Sequence, residues 1–185
     1  MKYIIANNYL CFYAILEMIL LDCGCSKFTQ FSLANEFGVV LPNGYVIERV
    51  ENVIYSDNTR EQGAHIHERI LNDFFERTNI PLYVSYASCG PFFDFNKYLD
   101  IDQGEQSHSS KENYYIYTFS YGSLYHEVQN LSVGHVSLFI DCPSHDNISI
   151  YDPGPRNPGL KTVSKIALYD AMEDIAGGVY LISKK

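Results

Sequence analysis

The stretch from Leu10 to Leu21, "LCFYAILEMILL", is apolar on nearly every side and is broken only by Glu17. A helix that is hydrophobic all round buries itself in the middle of a domain or in a membrane. Its 12 residues fall short of the roughly 20 a bilayer needs, and Glu17 would lie in hydrocarbon. An export signal fits no better. Asn7 and Asn8 interrupt the apolar run, and no small-residue cleavage site follows. In "LLDC", Asp22 stands where a lipoprotein signal needs a small residue. The segment is therefore expected to be the core helix of a soluble fold, starting near residue 8 or 9 behind an asparagine cap and ending at Gly24. Membrane insertion is not expected.

A core helix of this kind needs a chain around it. The 185 residues suit one domain, spanning 1–185, and 46% hydrophobic content with 16 Tyr and 11 Phe is globular rather than disordered. Thirteen basic against 22 acidic residues give a net charge of −9 with no basic run, which argues against nucleic acid as a partner. The five cysteines, Cys11, Cys23, Cys25, Cys89 and Cys142, are odd in number and irregularly spaced. They are not a disulfide framework, and a reducing, cytoplasmic location is expected.

Along the chain, a second helix is predicted from Thr29 to Phe37, closed by Gly38, and a third over 63–78, where Ile66, Ile70, Leu71, Phe74 and Phe75 recur at helical spacing. The region between them, 39–61, is expected to be irregular. From residue 80 the grammar changes. "IPLYVSYAS", "YYIYTFSY", "HVSLFID", "NISIYD" and "GVYLIS" are rich in branched and aromatic residues and are predicted as strands, with the polar stretch from Asp100 to Asn113 as a surface loop. Helices followed by mostly antiparallel strands imply an α+β domain, with the apolar helix packed on the sheet.

Cys11 falls in the first turn of the apolar helix. Unpaired N–H groups and the positive dipole end favour a thiolate there. His135 opens the strand ending at Asp141, and a four-residue turn, Cys142 to His145, leads to the next strand. Pairing 141 with 146 sets His135 directly opposite Asp152, with Cβ atoms about 5 Å apart on one face. A one-residue slip would send the two to opposite faces. Cysteine, histidine and aspartate are the parts of a thiol nucleophile, its general base and the acid that orients the base.

These residues carry a family resemblance. "NYLCFYAILEMILLDCG", then "TQFSLANEFG", and much later "GHVSLFID…ISIYDPG" resemble the papain-like cysteine peptidases that cleave double-glycine bacteriocin leaders, and their C39-like relatives. The resemblance spans most of the chain. It implies a papain-like fold, a peptide or amide substrate, and a catalytic triad of Cys11, His135 and Asp152. It also implies an oxyanion-hole glutamine about six residues before the cysteine, where this chain has Ile5. Asn7 and Asn8 are the nearby amides that could take that place. The resemblance leaves three functions open: hydrolase, amine-accepting acyltransferase, and non-catalytic peptide-binding or accessory domain.

Other groups carry less. On the predicted third helix only His65 and Glu68 share a face, which makes no metal site with His67. Cys23-x-Cys25 lacks zinc or redox spacing, and no phosphate-binding glycine loop is present. Neither a metal nor a cofactor is implied. Specificity is expected to come from residues 39–61 and 100–112.

Overall fold

The computed structural model describes residues 1–91, 93–98, 113–130 and 133–185. The apolar stretch forms α1, Cys11–Asp22, and eight of its residues are buried. Leu10 occupies the cap position without a side-chain bond, so neither asparagine caps this helix. A Schellman arrangement ends it. The N–H groups of Gly24 and Cys25 reach the carbonyls of Leu21 and Leu20, and Gly24 takes the positive φ of +79° that this motif requires. Glu17, the acid in the middle of α1, accepts the backbone N–H of Gln30 at 2.6 Å, at the start of α2, Gln30–Phe37. Thr29 and Ser32 close a capping box there.

Residues 39–61 are less irregular than the sequence suggests. They contain β1, Val39–Leu41, and β2, Val53–Tyr55, which pair in parallel. The third helix, α3, runs over Glu68–Arg77 and starts five residues later than predicted. Gly63 is the cause, because its N–H and C=O both pair with Val40 and tie the chain to β1. Helix formation waits for His67, whose ring nitrogen accepts the N–H of Arg69. His65 therefore lies outside the helix and shares no helical face with Glu68.

The second half builds one sheet from β3 (Leu82–Ser88), β4 (Asn113–Ser120), β5 (Gly134–Asp141), β6 (Asn147–Asp152), β7 (Gly159–Ser164) and β8 (Gly178–Lys184). The spatial order is β3-β8-β4-β5-β6-β7, with every pair antiparallel. Two short helices complete the fold: α4, Tyr121–Tyr125, and α5, Lys165–Glu173. The predicted polar loop lies outside the described residues, except Asn113, which already belongs to β4.

Strand alternation divides the core in two. Ile116, Leu138, Tyr151 and Ile182 pack with α1, α2 and α3, whereas Tyr117, Phe139, Ile150 and Val179 pack with α5. The sheet thus lies between helical layers, with α1 on the larger one, and no described helix is long and apolar enough to cross a membrane.

Candidate active site

The N-terminal segment leading to α1 is held tightly. The Ala6 N–H donates to the Pro153 carbonyl at 2.8 Å, and the Tyr151 hydroxyl donates to the Ile4 carbonyl at 3.1 Å. The buried Gln30 side chain bridges the next residues. Its amide donates to Ile5 O at 3.2 Å, and its carbonyl accepts the Asn7 N–H at 2.7 Å. The chain then reverses through Asn7 to Leu10, with Tyr9 at φ +67°, a left-handed value that is costly for a tyrosine. This turn delivers Cys11, half-buried, to the first position of α1.

His135 enters from the start of β5 and Asp152 from the end of β6. The hairpin register differs from the one predicted. Leu138 pairs with Tyr151 and Phe139 with Ile150, and a bulge follows between Phe139 and Asp141. His135 and Asp152 are therefore not directly opposed. They nonetheless bond, His135 Nε2 to Asp152 Oδ1 at 2.7 Å, with His135 8% and Asp152 1% exposed. The Cys11 thiol bears electrostatically on the same imidazole, its charge favouring the protonated ring. Since Nε2 is engaged by Asp152, Nδ1 is the nitrogen left for the thiol. Tyr121 and Phe119 stand edge-on to the imidazole, at 5.1 and 5.5 Å between ring centroids.

Burial works against a charged His135, but the charge and hydrogen bonding of Cys11 and Asp152 outweigh it and push its pKa up to about 10. Burial would likewise raise Asp152. Hydrogen bonds from His135, Tyr125 and the Gly154 N–H, with the charge of His135, hold it below the ordinary carboxylate value instead. Gly154 is required sterically. A Cβ there would lie 2.9 Å from Asp152 Oδ1 and 3.0 Å from His135 Cε1.

The three residues singled out by the sequence, Cys11, His135 and Asp152, are thus brought together. Of the two nearby amides, Asn8 donates to the Tyr45 hydroxyl at 2.9 Å, and Asn7 is exposed with its backbone N–H held by Gln30. Gln30, Tyr125 and Gly154 were not legible as site residues. The "DPG" at the end of β6 signals a turn, but no local pattern announces the close approach at Gly154.

No family model matches this sequence, and no curated protein matches it. Among solved structures, a protein from Bacillus anthracis described as a "putative C39-like peptidase" is similar over 100% of this chain and 94% of its own, with a TM-score of 0.62 at 14% identity. The chain has the fold of that C39-like protein. The likeness covers the N-terminal helices and the antiparallel sheet alike, which agrees with the α+β, papain-like architecture expected from the sequence.

Proposed function

We propose that the protein is a thiol-dependent hydrolase of peptide or amide bonds, with Cys11 as nucleophile, His135 as general base and acid, and Asp152 as the group that orients the imidazole. The observation that carries this reading is the buried Asp152–His135 bond at 2.7 Å, on an imidazole whose protonation is favoured by the thiol at the N-terminus of α1. In the resting pair His135 already holds the thiol proton, and the Cys11 thiolate adds to the substrate carbonyl. The tetrahedral intermediate collapses, the C–N bond breaks, and the imidazolium protonates the leaving amine. Neutral His135 then takes a proton from water as the hydroxyl adds to the thioester, and keeps it when the acid departs and the thiolate is restored. The N–H of Cys11 belongs to the first turn of α1, whose donors have no intrahelical acceptor, and it is the backbone donor for the oxyanion. The side chain of Asn8 or Asn7 is the candidate for a second donor. A reducing cytoplasm suits a mechanism that needs a free thiol, and none of the five cysteines forms a disulfide.

Digestion of a peptide library, read by mass spectrometry for new termini, tests the reading. Cleavage by the parent protein and none by Cys11→Ala is expected. If iodoacetamide labels Cys11 near pH 6 no faster than it labels Cys23 or Cys25, the reading is wrong.

A further inference from the structure

The triad accounts for one oxygen of Asp152 and leaves the other. Oδ1 accepts from His135 and from the Gly154 N–H at 2.7 Å. Oδ2 has separate partners: the Tyr125 hydroxyl donates to it at 2.5 Å, and the Lys161 ammonium stands 3.8 Å away. Lys161 also lies over the Tyr125 ring, 4.4 Å from its centroid, with a side chain only 15% exposed. These groups come from separate elements, α4, β6 and β7. In the β6–β7 ladder Lys161 opposes Ile150, and Asp152 opposes Gly159, so Lys161 and Asp152 are diagonal neighbours on one face.

Drawing a lysine out of water is costly unless an anion compensates it. An aliphatic side chain would cover Tyr125 without that cost, so the carboxylate explains the cation. A carboxylate held by one oxygen turns readily, because its terminal torsion is broad. One held at both oxygens is fixed in orientation.

We propose that Tyr125 and Lys161 are positioning residues, which together hold Oδ2 of Asp152 so that Oδ1 stays aimed at His135 Nε2. The proposal rests on the triad reading above. Tyr125 serves as a donor at any physiological pH, because burial and the Asp152 charge both raise its pKa. The groups bearing on Asp152 are His135 from β5, Tyr125 from α4, Lys161 from β7 and the Gly154 N–H, and its charge in turn raises the pKa of the nearby Tyr121 and Tyr151. Losing a donor or a cation from this set raises the carboxylate's pKa, and support for the imidazolium then fails at a higher pH.

The test is the rate of Cys11 alkylation by iodoacetamide across about pH 4 to about pH 9, on the full chain, with thermal unfolding to confirm that each variant is folded. Tyr125→Phe keeps the ring contacts with Phe119 and Tyr121 and removes only the hydroxyl. Both Tyr125→Phe and Lys161→Met should move the acid limb of the profile upward by about half to one pH unit, and Lys161→Arg should restore it. Acid limbs that superimpose on the parent's in folded variants overturn the proposal while leaving the triad standing. A parent Cys11 with no enhanced reactivity at acid pH overturns both. Should Tyr125→Phe not fold, the Lys161→Met and Lys161→Arg pair decides alone.

Discussion

Asp152 and His135 are two residues out of direct opposition in the β5–β6 ladder, yet their side chains meet at 2.7 Å. Continuing the observed register sets Asp152 opposite Ser137, with His135 as its diagonal neighbour. An even displacement preserves the face, and diagonal neighbours about 7–8 Å apart are bridged by an imidazole and a carboxylate. The pair survives an error of two residues and would not survive an error of one. What selects this geometry is the longer turn and bulge that close the hairpin, together with Gly154, which lets the chain after β6 pass close to both side chains.

The pair makes stability depend on pH in a direction that can be worked out. His135 titrates near 6.5 when free and near about 10 in the fold, so its contribution is complete below 6.5 and lost as pH climbs toward 10. Asp152 is displaced downward, so its contribution is complete above its ordinary 3.8 and lost as pH falls through the folded value. Thermal unfolding of the parent and His135→Gln should differ most between these limits. The difference should shrink above about pH 8 and again in acid; a constant gap across the range contradicts the assignment.

Gly154→Ala is expected to damage the site more than the fold. The added Cβ meets Asp152 Oδ1 and His135 Cε1 inside contact distance, and a turn between two paired strands cannot retreat freely. Overpacking of this kind costs about 1–3 kcal/mol. Denaturant unfolding should show that loss, and Cys11 alkylation at acid pH should fall toward the rate of an ordinary thiol. Parent-like alkylation in the variant would mean that the pair tolerates displacement.

Gln30 supplies a third test, remote from the thiol in sequence. Its side chain spans Ile5 O and the Asn7 N–H, which fixes the turn that places Cys11. Gln30→Ala leaves two backbone groups without their partner, at a cost of about 1–3 kcal/mol. Cys11 reactivity should drop in parallel. Chemical denaturation and alkylation kinetics on the same preparation would reveal whether the two effects travel together.

The legible parts of this protein are those in which one local signal dominates. Leu10 to Leu21 is one apolar run broken only by Glu17 and followed by a glycine stop, and β3, β4, β5, β6 and β8 are rich in branched and aromatic residues. The strand β7, "GLKTVS", carries no such run, because it is an edge strand with Leu160 and Thr162 turned to solvent. Helix α5 went unread although Ser164 caps it and Leu168, Ala171 and Met172 repeat at helical spacing. The start of α3 was set by Gly63 pairing with Val40, a contact between segments that no local pattern announces. The same holds at the site. Cys11, His135 and Asp152 were legible because their residue types name their chemistry, while Tyr125, Lys161 and Gln30 are ordinary residues made significant by tertiary contacts.

Position 5 offers a test by gain rather than loss. The resemblance to the leader peptidases places an oxyanion-donating glutamine there, and this chain presents Ile5 with 57% of its surface exposed. Its backbone is fixed independently of its side chain, through the Gln30 amide on Ile5 O and the Ala6 N–H on Pro153 O. Ile5→Gln should therefore fold as the parent does, with no loss in unfolding temperature, because an exposed side chain contributes little packing. If the Cys11 N–H works alone at the oxyanion, a second donor should raise turnover of a cleaved peptide roughly 10- to 100-fold, below the full 100- to 1000-fold cost of deleting a native donor. Alkylation of Cys11 should stay unchanged, since a thiolate attacking iodoacetamide forms no oxyanion. Unchanged turnover in Ile5→Gln, followed by loss of turnover in Asn8→Ala, would instead assign the second donor to Asn8 and imply that substrate draws its amide away from Tyr45.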